Sequence, residues 1–463
     1  MLGRRRARPR PKDRPARGRL PCGRRPAEDR GSAARPEAAD RQPARVRRAR
    51  TVGRHGPRRR GGRRAWRAGH EGGCRRHPRG GAASHRRDLE QPAGARRAVR
   101  GSEPDARAPR AGGTLARSRV QSLLRLDASL KFSVALPTSY EGLGYPVGFV
   151  PDGSTFVRLA RAAEALGYDG VWANDHLVTP RFLRDSPDGA PRFYDPLLVL
   201  AQIAGGTHRI RLGTAVIALP LRDPLALAKQ VTTVDVLSDG RLTLGVGAGA
   251  YPEEFAAVHP ERSAADRSAT FTENLAALRQ LLDEGGGSYH GRWVRFDDVE
   301  LSPAPAQRPF PLYIGGHTER AIERAARWGQ GWMPGWRPIA ELREWVVRLR
   351  ERVAELGRRP NSVEVAPEVS AMIATRHEEA LRRYEASRFA RHRRSRDPAK
   401  RDPALMTLSN LVGSPEAILE RLAEFADAGV DHCAAMAFPA ETVDELLDQW
   451  GLFSAEILSR VRT

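Results

Sequence analysis

Two neighbouring residues of opposite chemical character follow a short apolar run and could together handle a proton. Residues 170–174 (GVWAN) have the length and composition of a buried strand, and Asp175 and His176 come directly after them. Imidazole titrates near neutral pH, and a neighbouring carboxylate can raise its pKa, so the pair could act in general acid–base catalysis. A helix cap beside a surface histidine explains the same residues equally well, so both interpretations stay open.

A second group of residues could hold a phosphate. Gly315 and Gly316 end another apolar run, and a helical pattern begins at Thr318. Bare backbone N–H groups at a helix N-terminus suit an anion, because the positive end of the helix dipole lies behind them. A plain glycine turn with a threonine cap is the alternative, and the residues alone do not decide between the two.

Two further apolar runs end in small residues, which would let a flat ring approach the backbone. They are residues 213–220 (GTAVIALP) and 245–250 (GVGAGA). The second is not a dinucleotide fingerprint, because no helix follows at once and the third glycine is misplaced; a tight glycine turn explains it equally well. The sequence has no metal-ligand motif, Gly-x-Ser-x-Gly elbow or Walker loop, which favours a bound organic cofactor that carries the reaction.

The elements that must position these groups alternate along the chain from Lys131 onwards. Strands are predicted over 132–136, 170–174, 210–217, 242–247, 312–314, 331–333, 363–374 and 432–438. Helices are predicted over 154–167, 196–207, 224–237, 265–282, 318–328, 339–356, 415–428 and 442–460. Ser154 is the expected N-cap of the first helix and Gly167 its C-terminal stop.

Eight strand–helix units predict an α/β fold, a (β/α)₈ TIM barrel with insertions. Short strands that are apolar on both faces are typical of a parallel sheet covered by helices. A polar stretch at 285–305 could form a hairpin, and a charged stretch at 376–402 interrupts the series. An open doubly wound sheet is the alternative. In a barrel the chemistry lies at the carboxyl ends of the strands, where the groups above stand.

Residues 1–128 differ from the rest in composition. They contain 38 of the 78 Lys and Arg and 11 of the 55 Asp and Glu, which leaves 40 basic and 44 acidic residues in 129–463. This Arg-rich segment has too few apolar residues to offset a backbone ordering entropy of roughly 1–2 kcal/mol per residue, so we expect a disordered extension. A start assigned too early in a GC-rich gene would give the same composition. An RNA-binding tail and a targeting signal are less favoured.

Five blocks of the body resemble the luciferase-like monooxygenase superfamily, in the order of that family. They are 165–172 (ALGYDGVW), 207–214 (THRIRLGT), 237–247 (LSDGRLTLGVG), 311–316 (PLYIGG) and 328–332 (WGQGW). The resemblance covers about residues 131–462 and implies a (β/α)₈ barrel that binds FMN or the deazaflavin coenzyme F-420 at the carboxyl ends of its strands.

The resemblance also implies roles for particular residues. The Asp-His pair is similar to that of the deazaflavin-dependent members, which implies that His176 transfers a proton near the reactive ring and that Asp175 orients it. A cis peptide is implied between Ala215 and Val216. The residues implied to bind the cofactor are Thr214, Ala215, Val216, Ala248, Gly249, Gly315 and Gly316.

The predicted function is hydride transfer between coenzyme F-420 and a small organic substrate in a cytoplasmic oxidoreductase. An FMN-dependent monooxygenase that uses reduced flavin and O₂ is the alternative among enzymes, and a non-catalytic flavin-binding or RNA-associated protein is the alternative outside them. The resemblance allows a flavin or deazaflavin reductase and a homodimer as partners. No membrane and no metal are expected, and nucleic acid is disfavoured.

Three details refine this expectation. Pro180 and Ala250 stand where some deazaflavin dehydrogenases of sugar phosphates carry Trp and Glu, which argues against that substrate but not against the cofactor. The basic segment Arg382–Arg401 could clamp the polyglutamate tail of the deazaflavin, although an exposed charged loop is the favoured interpretation.

Overall fold

The computed structural model describes residues 130–184, 188–396 and 409–462. The predicted extension at 1–128 lies outside the described residues, as does the part of the basic segment beyond residue 396, so the predictions made for them stay predictions. Within the described ranges, no helix is long and apolar enough to cross a membrane.

Eight parallel strands form a closed ring, as the sequence predicts. They are β1 Lys131–Leu136, β2 Gly170–Ala173, β3 Arg211–Thr214, β4 Leu242–Gly247, β5 Leu312–Gly315, β6 Gly331–Met333, β7 Glu364–Val365 with Glu368–Ile373, and β8 His432–Ala437. Each strand pairs with the next, and β8 pairs with β1. The first part of β7 pairs with β6 and the second with β8, so this one strand closes the ring. The open-sheet alternative is therefore wrong.

One helix follows each strand of the barrel. These helices are α1 Ser154–Ala165, α2 Pro196–Ala204, α3 Pro224–Leu237, α4 Asp266–Glu284, α5 Glu319–Trp328, α6 Ile339–Glu355, α7 Pro415–Asp427 and α8 Val443–Phe453. Gly167 follows the end of α1 as predicted, but Ser154 is not its N-cap. Instead the carboxylate of Asp152 accepts the backbone N–H groups of Ser154 and Thr155.

Most of the remaining elements are insertions between these units. The antiparallel hairpin Gly286–His290 and Arg295–Glu300 confirms the predicted excursion. The other insertions are the helices Arg181–Arg184, Pro252–Val258, His377–Ala386 and Arg388–Arg396, the strands Ile217–Ala218 and Leu411–Gly413, and the 3₁₀ turns Leu219–Leu221 and Pro360–Ser362. After α8 the chain continues through the π-helical segment Ser454–Leu458 into the short helix Ser459–Val461. The predicted strand 210–217 is therefore interrupted after Thr214, and the helix Pro252–Val258 was not predicted.

The strands alternate between an outer apolar face and the barrel interior. Phe132 of β1 points outwards, where its ring lies 6.3 Å from that of Phe453 in α8. The next residue, Ser133, points inwards and bonds to His432 on the adjacent strand β8. This alternation buries the outer face against the helices and leaves the two ends of the barrel for polar groups.

Candidate active site

A cavity of about 520 Å³ opens at the carboxyl ends of the barrel strands. Of the residues predicted for the site, Asp175, His176, Ala215, Val216, Ala248, Gly249, Gly315 and Gly316 all line it. Thr214 does not, because its hydroxyl is bonded to the backbone N–H and C=O of Gly245 and so ties β3 to β4. The structure thus brings together eight of the nine predicted residues around one cavity.

His176 is held by a carboxylate that the sequence did not reveal. Its Nδ1 lies 3.0 Å from Oε2 of Glu254, in the helix Pro252–Val258, and the Glu254 side chain is 1 % exposed. The imidazole also contacts the rings of Phe193 and Tyr251, at centroid distances of 5.4 and 5.1 Å. With Glu254 ionised, Nδ1 carries the hydrogen, so Nε2 is the nitrogen left to exchange a proton with a ligand. Nε2 makes no hydrogen bond to the described residues.

Asp175 does not orient His176, so the role implied for it is wrong. Its carboxylate accepts hydrogen bonds from Nη2 and Nε of Arg222, at 2.7 and 3.3 Å, and from the backbone N–H of Ala218. Arg222 also bonds to Asp195, the N-cap of α2. Burial alone would lower the pKa of Arg222, but the two carboxylates raise it. Asp175 therefore fastens the loop after β2 to the segment after β3.

The peptide between Ala215 and Val216 is cis, as predicted. The Val216 side chain occupies the space that side chains on the next two strands would need. A Cβ on Gly247 would lie 2.5 Å from Val216 Cγ2, and a Cβ on Gly315 would lie 3.2 Å from Val216 Cγ1. Glycine at 247 and 315 thus makes room for Val216 at the cavity wall.

The corner of the cavity beside Gly315 and Gly316 is positively charged, although not in the way predicted. The N–H of Gly316 is not bare, because it donates to Met333 O. The charge comes from two arginines on neighbouring helices. Arg324, 6 % exposed, bonds to hydroxyl and carbonyl oxygens of Ser268 and Thr272, and burial together with Arg320 lowers its pKa to about 10.

The second arginine of this corner, Arg267, leaves a donor unused. Its Nη1 is buried and has no hydrogen-bond partner among the described residues. Neither Arg267 nor Arg324 forms an ion pair within the described ranges. Two cations without carboxylate partners, beside a cavity, make this corner suited to an anion such as a phosphate. We call Arg267, Ser268 and Arg324 the anion corner.

Glu368 is a further titratable group of the cavity that the sequence did not single out. It stands on the second part of β7 and lines the cavity, and its carboxyl makes no hydrogen bond to the described residues. Burial raises its pKa to about 7, against the opposing effect of Arg393. Glu368 is thus able to hold or release a proton near neutral pH.

The fold is that of an α/β-barrel enzyme, with a candidate site in the cavity at the carboxyl ends of the strands. Comparison with known proteins agrees, because the luciferase-like monooxygenase family model matches residues 130–432. The chain belongs to this family, so it is an oxidoreductase, and a flavin or deazaflavin cofactor is supported.

Relatives and a solved structure are consistent with that assignment. An uncharacterized protein of Mycobacterium tuberculosis is 32 % identical over 218 residues, which cover 45 % of this chain and 74 % of that protein. The F-420-dependent hydroxymycolic acid dehydrogenase of the same organism is 30 % identical over 188 residues, covering 40 % of this chain and 50 % of the relative. The monooxygenase RslO1 from Streptomyces bottropensis superposes with a TM-score of 0.61 at 24 % identity, over 71 % of this chain and 99 % of RslO1.

Proposed function

We propose that the protein is a coenzyme F-420-dependent oxidoreductase that transfers a hydride to or from a small organic substrate. The observation that carries the proposal is the state of His176, whose Nδ1 is tied to a buried carboxylate while Nε2 is unbonded at the cavity. The F-420-dependent dehydrogenase among the relatives supports the choice of cofactor.

The residues of the cavity fit a phosphorylated tricyclic cofactor. A volume of about 520 Å³ lies within the range of about 300–1,000 Å³ that is usual for ligand pockets. Val216, Ala248 and Gly249 would flank the ring, since their small or compact side chains leave the strand ends open to a flat molecule. Arg267 and Arg324 would hold the phosphate, because both are cations without a carboxylate partner among the described residues.

The reaction that follows is the oxidation of an alcohol or its reverse. A bound deazaflavin supplies or accepts the hydride. For oxidation, the substrate C–H bond breaks with its electron pair, and Nε2 of His176 takes the proton of the O–H group as the carbonyl forms. Glu254 keeps the imidazole of His176 in position and balances the charge that the imidazole gains. Phe193 and Tyr251 cover the imidazole and exclude water from it.

An FMN-dependent monooxygenase that uses reduced flavin and O₂ is the second candidate. The anion corner would accept the phosphate of FMN as readily as that of a deazaflavin, and the fold is shared with the monooxygenase RslO1. In such an enzyme the same cavity walls would exclude water from the oxygen chemistry.

Cofactor binding decides between the two candidates. We expect fluorescence titration of the purified protein to show tight binding of coenzyme F-420 and weak binding of FMN, in both oxidation states. Tight binding of reduced FMN with no binding of the deazaflavin would overturn the proposal in favour of the monooxygenase. Turnover with reduced or oxidised F-420, assayed on a panel of small alcohols and carbonyl compounds, would then identify the substrate class.

A further inference from the structure

A second groove leads from the anion corner towards the protein surface. It has a volume of about 510 Å³ and lies between α4, α5 and the hairpin at 286–300. Ser268 and Arg324 line both this groove and the active-site cavity, so the two spaces adjoin. Beyond these shared residues, the groove is lined by Arg292 and Trp293 of the hairpin and by Arg320 of α5.

We propose that this groove, which we call the tail groove, binds an oligocarboxylate extension of the cofactor beyond its phosphate, such as the polyglutamate tail of coenzyme F-420. The inference rests on the proposed function, since FMN ends at its phosphate and has nothing to place in the groove. It assigns a role to the hairpin, which the barrel itself does not need.

The charges of the tail groove favour an anionic ligand. Arg320 donates from Nη1 to Ser268 Oγ at 3.2 Å and has no ion-pair partner in the described part of the chain. Arg292 approaches Asp266 only at 3.8 Å, with its own side chain 71 % exposed, so this pair contributes little. With Arg324, three guanidinium groups therefore face the groove with their charge largely uncompensated.

The acidic residue in the lining is already engaged by the hairpin backbone. Glu273 of α4 accepts the N–H groups of Trp293 and Val294 at 2.7 and 2.8 Å. These bonds hold the hairpin backbone at Trp293, and the guanidinium of Arg292 lies over the Trp293 ring at 4.5 Å from its centroid. A cation stacked in this way is held at the rim with less freedom than a lone surface arginine, which favours binding of a carboxylate there.

Two arginines of the basic segment that the sequence suggested for the tail are engaged elsewhere. In its described part, Arg383 pairs with Glu445 at 2.9 Å, and Arg388 pairs with Asp188 at 2.9 Å. These arginines already have carboxylate partners within the protein. Those of the tail groove do not, apart from the long contact between Arg292 and Asp266.

The test compares cofactors that differ only in the tail. Binding of coenzyme F-420 with several glutamates, of the same deazaflavin phosphate without glutamates, of FMN and of FAD is measured by fluorescence titration at low and high salt. We expect the tailed form to bind about tenfold more tightly at low salt, the combined effect of a few exposed ion pairs, and the advantage to shrink at high salt.

Charge-reversal variants locate the effect. In the variant Arg292→Glu, which lies away from the anion corner, we expect the tailed form to lose most of its advantage while the form without glutamates binds as in the wild type. The matched control is Arg343→Glu, which reverses an exposed arginine of α6 that lines neither cavity. Unchanged thermal melts check that the variants are folded.

Three other outcomes separate the possible interpretations. Equal binding of both deazaflavins by the wild type would overturn the tail groove and leave the proposed function standing. Binding of FMN alone would overturn both. A gain of FAD over FMN that Arg292→Glu abolishes would assign the groove to an adenosine diphosphate group and overturn the oligocarboxylate.

Discussion

Each end of the barrel holds a cavity. In the described residues, the buried charged groups are paired at one end and partly unpaired at the other. At the amino ends of the strands, a space of about 620 Å³ is lined by acidic residues that are all engaged. Glu164 accepts three consecutive backbone N–H groups, those of residues 208–210, and Glu364 accepts hydrogen bonds from Lys131 and Tyr313. At this end the charges hold the barrel together.

At the carboxyl ends, some charged side chains lack hydrogen-bond partners among the described residues. Oε1 of Glu254 and Nη1 of Arg267 are buried without a partner among the described residues, and Glu368 makes no side-chain hydrogen bond within them. The unpartnered atoms of the amino end belong instead to neutral groups, Trp172 and His432, and burial lowers the pKa of His432 to about 3. The comparison teaches that the cavity with unsatisfied charge, rather than the larger cavity, is the candidate for binding and catalysis.

Removing the proposed proton carrier should have the largest effect on turnover. We expect His176→Ala to lower kcat by roughly 10²- to 10⁴-fold, the usual contribution of general acid–base catalysis, with little change in cofactor affinity. The control is His208→Ala, an exposed histidine near the amino end. Turnover that survives in His176→Ala, or falls equally in both variants, would contradict the assigned role.

Breaking the ion pair between Arg222 and Asp175 should lower the unfolding free energy more than it lowers turnover. In Arg222→Met the carboxylate of Asp175, whose side chain is 1 % exposed, loses its charged partner. Such unpaired buried charges cost about 3–5 kcal/mol of unfolding free energy, which urea denaturation would measure. Asp175→Asn should lower kcat much less than His176→Ala. An equally inactive Asp175→Asn with wild-type stability would restore a catalytic role to Asp175.

Glu254→Gln tests the positioning of His176. The amide keeps the shape of the side chain but removes the charge that stabilises the protonated ring, so we expect kcat to fall about ten- to a hundredfold. The pH–rate profile should shift as well, which a purely structural role would not cause. Glu253→Gln is the matched control, because Glu253 is the exposed neighbour in the same helix and, among the described residues, bonds only to the Arg181 backbone. Equal effects of the two variants would argue against the assignment.

The sequence predicted the barrel well because each unit carries its own signal. Helix α3 and strand β4 have the predicted bounds, 224–237 and 242–247, since an Asp-Pro start and an unbroken apolar run mark them. The hydrogen-bond partners of Asp175 and His176 could not be predicted from the sequence. Asp175 and His176 are adjacent, but one binds Arg222 after β3 and the other Glu254 after β4, partners 47 and 78 residues away that no local pattern reveals. Glu254 lies on a seven-residue helix that is too short to show a period.

Two glutamates of β7 should contribute to the pH dependence of the unfolding free energy with opposite signs. Burial raises the pKa of Glu368 to about 7 from 4.5, so the native state keeps a proton that the unfolded chain loses as the pH rises above about 4.5. The unfolding free energy therefore falls between about pH 4.5 and pH 7 and is level above. Urea denaturation would measure the unfolding free energy of Glu368→Gln and of the wild type at pH 4 and pH 8. Between these two pH values, the difference between them should change by about 1–3 kcal/mol in favour of the variant.

Glu364, on the same strand at the amino end, supplies the control. Burial would raise its pKa, but hydrogen bonds from Lys131 and Tyr313 lower it. Its contribution to stability is present above the unfolded pKa and is lost as the pH falls through the folded pKa. Glu364→Gln should therefore destabilise the protein at pH 8 and have less effect at low pH. If both variants changed the unfolding free energy at pH 8, relative to low pH, in the same direction, the proposed difference between the two ends would be wrong.

The smallest effect is expected for Ser133→Ala at the amino end. The hydroxyl of Ser133 lies 2.8 Å from Nε2 of His432, and both side chains are buried inside the barrel. Losing a hydrogen bond between two neutral buried groups costs about 1 kcal/mol, so the unfolding free energy should fall by that amount. Kcat and cofactor affinity should not change, because the site lies at the other end of the strands. A fall in turnover at unchanged stability would show that the amino end takes part in function, and the contrast between paired and unpaired charge would then no longer identify the active site.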